Sequence, residues 1–207
     1  MTPMSPQELR AALTAPFVPG EALDLRARRI TGALDLSGQS LCGFDLTGSV
    51  FEGRVTLAGA TCLGLTWFRD CVFEQGLDGG GAVFGHDLRC DGAEFRGDAC
   101  LRGAEMRGTC VLDAAVLRQE TDLAGAEILS SFSCAATRFH GPVDLAGATL
   151  LGGLWAEGAI FQSGVNASDA EVYGRTWLRR ITGADDRGGS CHASLMEQIT
   201  PYGYMWT

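Results

Sequence analysis

The chain has 207 residues, 46% hydrophobic and 20% charged with only six prolines, a balance that excludes a disordered segment and fits one large folded domain or two small ones. No uninterrupted apolar run approaches the ~18–20 residues that cross a bilayer, and Glu8 and several prolines break up residues 1–20, so neither a membrane span nor a secretory leader is expected and a cytoplasmic location is. Every basic residue is an arginine, and a net charge of −9 excludes nucleic acid as a direct ligand and attraction to anionic lipid, both of which need clustered cations.

At the N-terminus, Ser5-Pro6-Gln7-Glu8 has the form of a capping box with proline at the first helical position. Leu9, Ala12 and Leu13 make a short apolar stripe before Pro16. Residues 1–20 are therefore expected to form a cap whose helix covers the first layer of the repeat region.

From residue 21 to 183 the sequence has a period of eleven. Steps of eleven from Leu57 meet Phe68, Gly79, Cys90, Leu101, Leu112, Leu123, Cys134 and Leu145. A second series, five residues later, runs through Cys62, Phe73, Phe84, Phe95, Met106, Leu117, Ile128, Phe139, Leu150, Phe161 and Val172. Two residues before its members stand small ones such as Ala60, Cys71, Ala82, Ala93 and Ala104. Alternating spacings of five and six fit neither a helix nor a long strand. They fit short extended segments joined by corners, in which the central residue and the small residue two before it face inward. Residues beside the centres, including Glu94, Arg96, Glu105, Arg107, Arg118, Asp122 and Asp144, face water. An eleven-residue coil leaves no room for inward Phe, Leu and Met, so four segments and 22 residues per coil are expected, giving about seven coils. Gly79 occupies a core slot within Gly79-Gly80-Gly81 and suggests a distorted coil.

Ala93-Glu94-Phe95-Arg96-Gly97, Ala104-Glu105-Met106-Arg107-Gly108 and Ala148-Thr149-Leu150-Leu151-Gly152 resemble the pentapeptide-repeat family over about residues 25–172. The resemblance implies an all-β, right-handed quadrilateral β-helix. The extra residue in every eleven departs from the family pattern and is expected to bulge one corner of each half-coil.

After residue 183 the repeat fails. Asp185-Asp186-Arg187-Gly188-Gly189 resembles a loop, and the tail, residues 184–207, ends in Leu195, Met196, Ile199, Tyr202, Tyr204, Met205 and Trp206. So much apolar surface requires burial, either over the last coil or in a homodimer.

A 22-residue coil defines surface columns. One face collects Trp67, Arg89, Val111, Ser133, Trp155 and Trp177, and the opposite face Thr56, Asp78, Cys100, Asp122, Asp144 and Asn166. Trp67, Trp155 and Trp177, with Tyr202, Tyr204 and Trp206 if the tail folds back, are the candidate anchors for a protein partner; should the tail lie over them, they are its packing surface instead. Asp78, Asp122 and Asp144 form a candidate acidic face.

No catalytic or metal-binding constellation stands out. His86, His140 and His192 are scattered, the eight cysteines include no C-x-x-C pair, and Cys191-His192 falls in an expected loop. Cys62, Cys90, Cys110 and Cys134 are expected inside the coil, Cys42 and Cys100 outside. A non-enzymatic interaction scaffold without cofactor is the favoured reading. The alternative comes from the family resemblance: a DNA-mimicking protein that binds a bacterial type II topoisomerase (gyrase) and protects or inhibits it.

Overall fold

The computed structural model describes residues 1–183 and 190–207; the expected loop at 185–189 lies outside the described residues. Nearly all regular structure is in short strands, mostly of two residues, arranged in four parallel sheets of nine, nine, seven and eight strands among the described residues. Between the two ends each sheet takes every fourth strand, so the chain passes from face to face and returns one layer higher after each circuit. Val72 pairs with Glu94, Leu77 with Ala99, Val83 with Glu105 and Leu88 with Cys110, each 22 residues ahead. The first circuit is one residue shorter, with Phe44 opposite Leu23 and Val55 opposite Leu34. The solenoid has about eight turns, one more than the repeat count alone implied, because segments at both ends of the sequence add strands to the sheets.

The alternation of burial along each segment follows the period of two in an extended chain. Phe51, Phe73 and Phe95 point inward and stack with centroids 5.0 and 4.7 Å apart, and Phe139 and Phe161 repeat the arrangement at 4.9 Å. Such offset ring pairs add stabilisation beyond their buried area. Gly79 does not distort its coil. The neighbouring strand keeps its register, and the Leu101 side chain occupies the space, its Cδ2 lying 2.9 Å from where a Cβ on Gly79 would stand.

Two corner types alternate, which accounts for spacings of five and six. At the tighter corner a hydrogen-bonded turn joins an inward residue to the small residue three positions on: Ala60 N–H donates to Leu57 O at 2.8 Å, and Ala126 N–H to Leu123 O at 3.0 Å. Its third residue has positive φ, as at Gly59 (64°), Gly103 (61°) and Gly125 (64°), but also at Ala114 (55°) and Ala136 (54°). The small residue is required because it closes this turn against the interior. The looser corner holds the additional residue, and there successive coils approach closely: a Cβ on Gly141 would overlap the Gln119 backbone.

The N-terminal segment closes the first coil. Ser5 Oγ accepts from Glu8 N–H at 3.2 Å while Glu8 Oε2 accepts from Ser5 N–H at 2.8 Å, so both halves of the capping box are formed. Helix α1 (Pro6–Leu13) buries Leu9 and Leu13 fully against the core. A feature that the repeat pattern does not foretell is the strand Thr2–Met4, which pairs with Arg28–Ile30 ahead of the helix. Cys42, expected outside, is buried, because the helix end lies over it: Cys42 N–H donates to Leu13 O at 2.9 Å.

At the other end the tail makes a further partial coil. Helix α2 (Cys191–Gln198) buries Cys191 and Leu195 with the following Ile199, while Gln198 Oε1 accepts from Ala167 N–H at 2.7 Å. Cys191-His192 is thus helical and Cys191 buried, correcting the expected loop. Thr200–Pro201 then pairs with Glu171–Val172, and Met205–Trp206 with Thr176–Trp177.

Candidate functional site

The tryptophan face is built by register. Parallel pairing places Trp67 beside Arg89, Val111 beside Ser133, and Trp155 beside Trp177 in one outward column. The tail does not lie over these rings. Its last strand sets Trp206 beside Trp177 and extends the column by one indole. The centroids of Trp155 and Trp177 are 5.8 Å apart and those of Trp177 and Trp206 5.2 Å, with Tyr204 at 6.1 Å from Trp206. All three indoles are partly exposed, and Tyr204 is 79% exposed. Trp155 and Trp177 are stacked at 20° and Trp206 is tilted by 31° from Trp177, so the three indoles form one partly exposed row. Arg179 and Arg175 lie against the row, with Cζ 6.0 Å from the Trp177 centroid and 5.8 Å from that of Trp206.

Trp67 is separate from this group. Three coils, carrying Arg89, Val111 and Ser133, stand between it and Trp155, about 19 Å at the spacing of parallel strands. Its neighbourhood is closed by charge: Arg69 lies over the ring with Cζ at 5.9 Å and donates to Asp91 Oδ2 at 2.7 Å, while Arg89 donates to Oδ1 at 2.8 Å. Burial pushes the Asp91 carboxyl upward, but these two hydrogen bonds outweigh it and keep the group below the usual aspartate range.

Tyr202 also leaves the column. It stacks on Tyr173 at 4.4 Å, and both phenols donate to Glu171, at 3.1 Å each, on the adjoining face. That bond to Glu171 raises both phenol pKa values. Tyr173 and Tyr202 continue an exposed ridge begun by Leu129 and Leu151, at the corner leading to the tryptophan face. The ridge was within reach of the same 22-residue arithmetic, applied one position after the second apolar series.

The opposite face aligns Asp78, Cys100, Asp122, Asp144 and Asn166 in one column. The aspartates hold corners. Oδ1 of Asp78, Asp122 and Asp144 accepts the N–H of Gly80, Ala124 and Ala146 at 3.0, 2.9 and 2.9 Å, and Asn166 does the same for Ser168 at 3.2 Å. These are side-chain turns that fix entry into the tight corner. Arg102 then reaches across the column, 2.7 Å from Asp122 and 3.6 Å from Asp144. One oxygen of each aspartate is committed to the backbone, and two of the three carboxylates share a guanidinium.

Elsewhere the chemistry is sparse. Burial pushes the Cys62 thiol up to about 11 and Cys71 and Cys110 up to about 12, with Cys90 and Cys134 also raised. His140 pairs through Nδ1 with Gln162 Oε1 at 2.7 Å. Among the described residues no group of three His, Cys, Asp or Glu side chains could hold a metal ion, and no helix is long and apolar enough to cross a membrane.

No family model matches the sequence, and no curated protein matches it. Among solved structures the chain is similar to HetL from the cyanobacterium Nostoc sp. strain PCC 7120, a pentapeptide repeat protein involved in heterocyst differentiation regulation, at 19% identity over 97% of this chain and 94% of that one, with a TM-score of 0.24. The stacked parallel coils are consistent with a pentapeptide-repeat protein.

Proposed function

We propose that this pentapeptide-repeat solenoid is a non-enzymatic interaction scaffold whose docking surface is the C-terminal part of the tryptophan face. The observation that supports it is the row Trp155–Trp177–Trp206, held in register by strand pairing and left partly open to solvent. Large rigid rings bury much area at little entropic loss, which makes them effective interface anchors. Tyr204 belongs to the same surface; Tyr202 borders it, and Trp67 lies apart.

The aspartate column gives less support to DNA mimicry. A duplex mimic needs regularly spaced free carboxylates, whereas Asp122 and Asp144 are bound to turns and to Arg102.

The test captures partners from the native host with the intact protein and compares affinities. Trp155→Ala with Trp177→Ala should weaken binding more than Asp122→Asn with Asp144→Asn, the melting temperature being recorded for each. Asparagine is used because Asn166 shows that it makes the same corner bond. If the Asp pair alone abolishes binding, the tryptophan face is not the anchor, and inhibition of gyrase supercoiling becomes the assay to run.

A further inference from the structure

Most exposed arginines of this rod are tied to carboxylates. Arg96 binds Glu74 and Glu94, Arg102 binds Asp122, and Arg180 pairs with Glu157. Arg175 and Arg179 differ: neither makes an ion pair with a described carboxylate, and both lie against indoles. The same face shows how such a pair is completed. Beside Trp67, the stacked Arg69 and its neighbour Arg89 grip one carboxylate, that of Asp91, from both sides. Beside Trp177 and Trp206 the two guanidiniums and the rings are present, but the nearby carboxylate, Glu157, is held by Arg180, with Trp177 and Arg179 acting on it only secondarily, and it forms no ion pair with Arg175 or Arg179.

We propose that Arg175 and Arg179 receive carboxylates from a partner protein, so that the segment docking on the tryptophan face is acidic. This rests on the tryptophan face being the docking surface. A guanidinium resting on a ring keeps its N–H edge outward in a fixed plane, the geometry that binds a carboxylate through two bonds. Stacking also removes part of its hydration before the partner arrives. The partner's apolar side chains would meet the indoles and Tyr204 between the two charges. The net charge of −9 sharpens the choice of site. An acidic segment is repelled by most of the rod and finds, beside apolar rings at this end, two cations that make no ion pair with a described carboxylate, which steers where it lands.

The test uses the full chain, with tryptophan fluorescence as the readout and two blocked peptides as probes, one alternating Glu and Val, the other Lys and Val. The Glu peptide should bind with an affinity that falls as salt rises. R175Q with R179Q should weaken it about tenfold, while R138Q, an exposed arginine on another face, should leave it unchanged, all at unaltered melting temperature. Equal binding of the Lys peptide, no response to the Glu peptide, or full affinity in the R175Q/R179Q variant would overturn the proposal. A host partner lost by Trp155→Ala with Trp177→Ala but retained by R175Q/R179Q would remove the acidic class and leave the docking face standing.

Discussion

The indole of Trp206 packs 5.2 Å from that of Trp177 although 29 residues separate them, where Trp155 and Trp177 are 22 apart. The seven additional residues are taken up in the segment that includes helix α2, and the chain returns to the ladder in register. Trp206 is therefore an integral part of the stack. Trp206→Ala should lower unfolding stability by about 1–2 kcal/mol through lost ring contact and area. An unchanged denaturation midpoint would show that the tail strand contributes nothing to the rod.

The tight corners supply a matched pair of substitutions. Gly125 and Ala136 occupy the same turn position, at φ 64° and 54°, and a Cβ on Gly125 would meet nothing within 4 Å. The difference between them is then backbone strain alone, about 1 kcal/mol for an L-residue in the left-handed region. Gly125→Ala should destabilise and Ala136→Gly should stabilise, each by somewhat less than that amount, since glycine also loosens the unfolded chain. Chemical denaturation of both variants measures it, and the same sign for the two changes would refute the strain argument.

At the looser corner the obstacle is contact. A Cβ on Gly141 would overlap the backbone of Gln119 one coil below. Gly141→Ala should force the coils apart and lower stability by about 1–3 kcal/mol, as overpacking does elsewhere. A melting temperature equal to wild type would mean that this corner is slack.

Interior packing should dominate over surface charge. Phe95 is buried and stacks on Phe73, so Phe95→Ala should remove about 3–5 kcal/mol. Arg96 joins Glu74 to Glu94 across a coil boundary but remains 46% exposed, so Arg96→Ala should change stability by less than about 1 kcal/mol. Similar midpoints for the two variants would contradict the inward and outward assignment.

The buried thiols predict alkaline sensitivity. Their folded pKa values, about 11 for Cys62 and about 12 for Cys71 and Cys110, stand above the ~8.5 of an unfolded thiol. The folded chain keeps these protons while the unfolded chain releases them, so stability is complete below pH ~8.5 and is lost as pH rises toward 11–12. One pH unit above the unfolded value, each such thiol should lower stability by about 1.4 kcal/mol. Denaturation midpoints at pH 7 and pH 9.5 under reducing conditions check this; a flat profile would place the thiols in contact with water.

The repeat was legible because an eleven-residue period and inward Phe and Leu leave few alternatives to a four-cornered coil. The columns ending in Trp177 and Asn166 came from that period by arithmetic. What escaped lies where the period stops. Thr2–Met4 is one strand isolated before a helix, without a repeated partner to reveal it. Ser190 makes no side-chain cap at the start of α2, so the usual start signal for that helix is missing. Cys42 occupies an outward repeat position and is covered by α1, a contact that periodicity does not encode. Asp122 and Asp144 were visible as a column, but their attachment to corner N–H groups depends on the turn geometry, and so does their reduced availability to a partner.

Because Glu94–Ala115 and its neighbouring coils touch only the coils above and below, in a constant register of 22, the rod is a ruler with a fixed graduation. Duplicating one such block would move the tryptophan row about 4.8 Å farther from α1 while leaving both caps intact. The distance between the two ends of the molecule can thus be set in whole steps, so an assembly that requires a particular reach could obtain it by changing coil number alone.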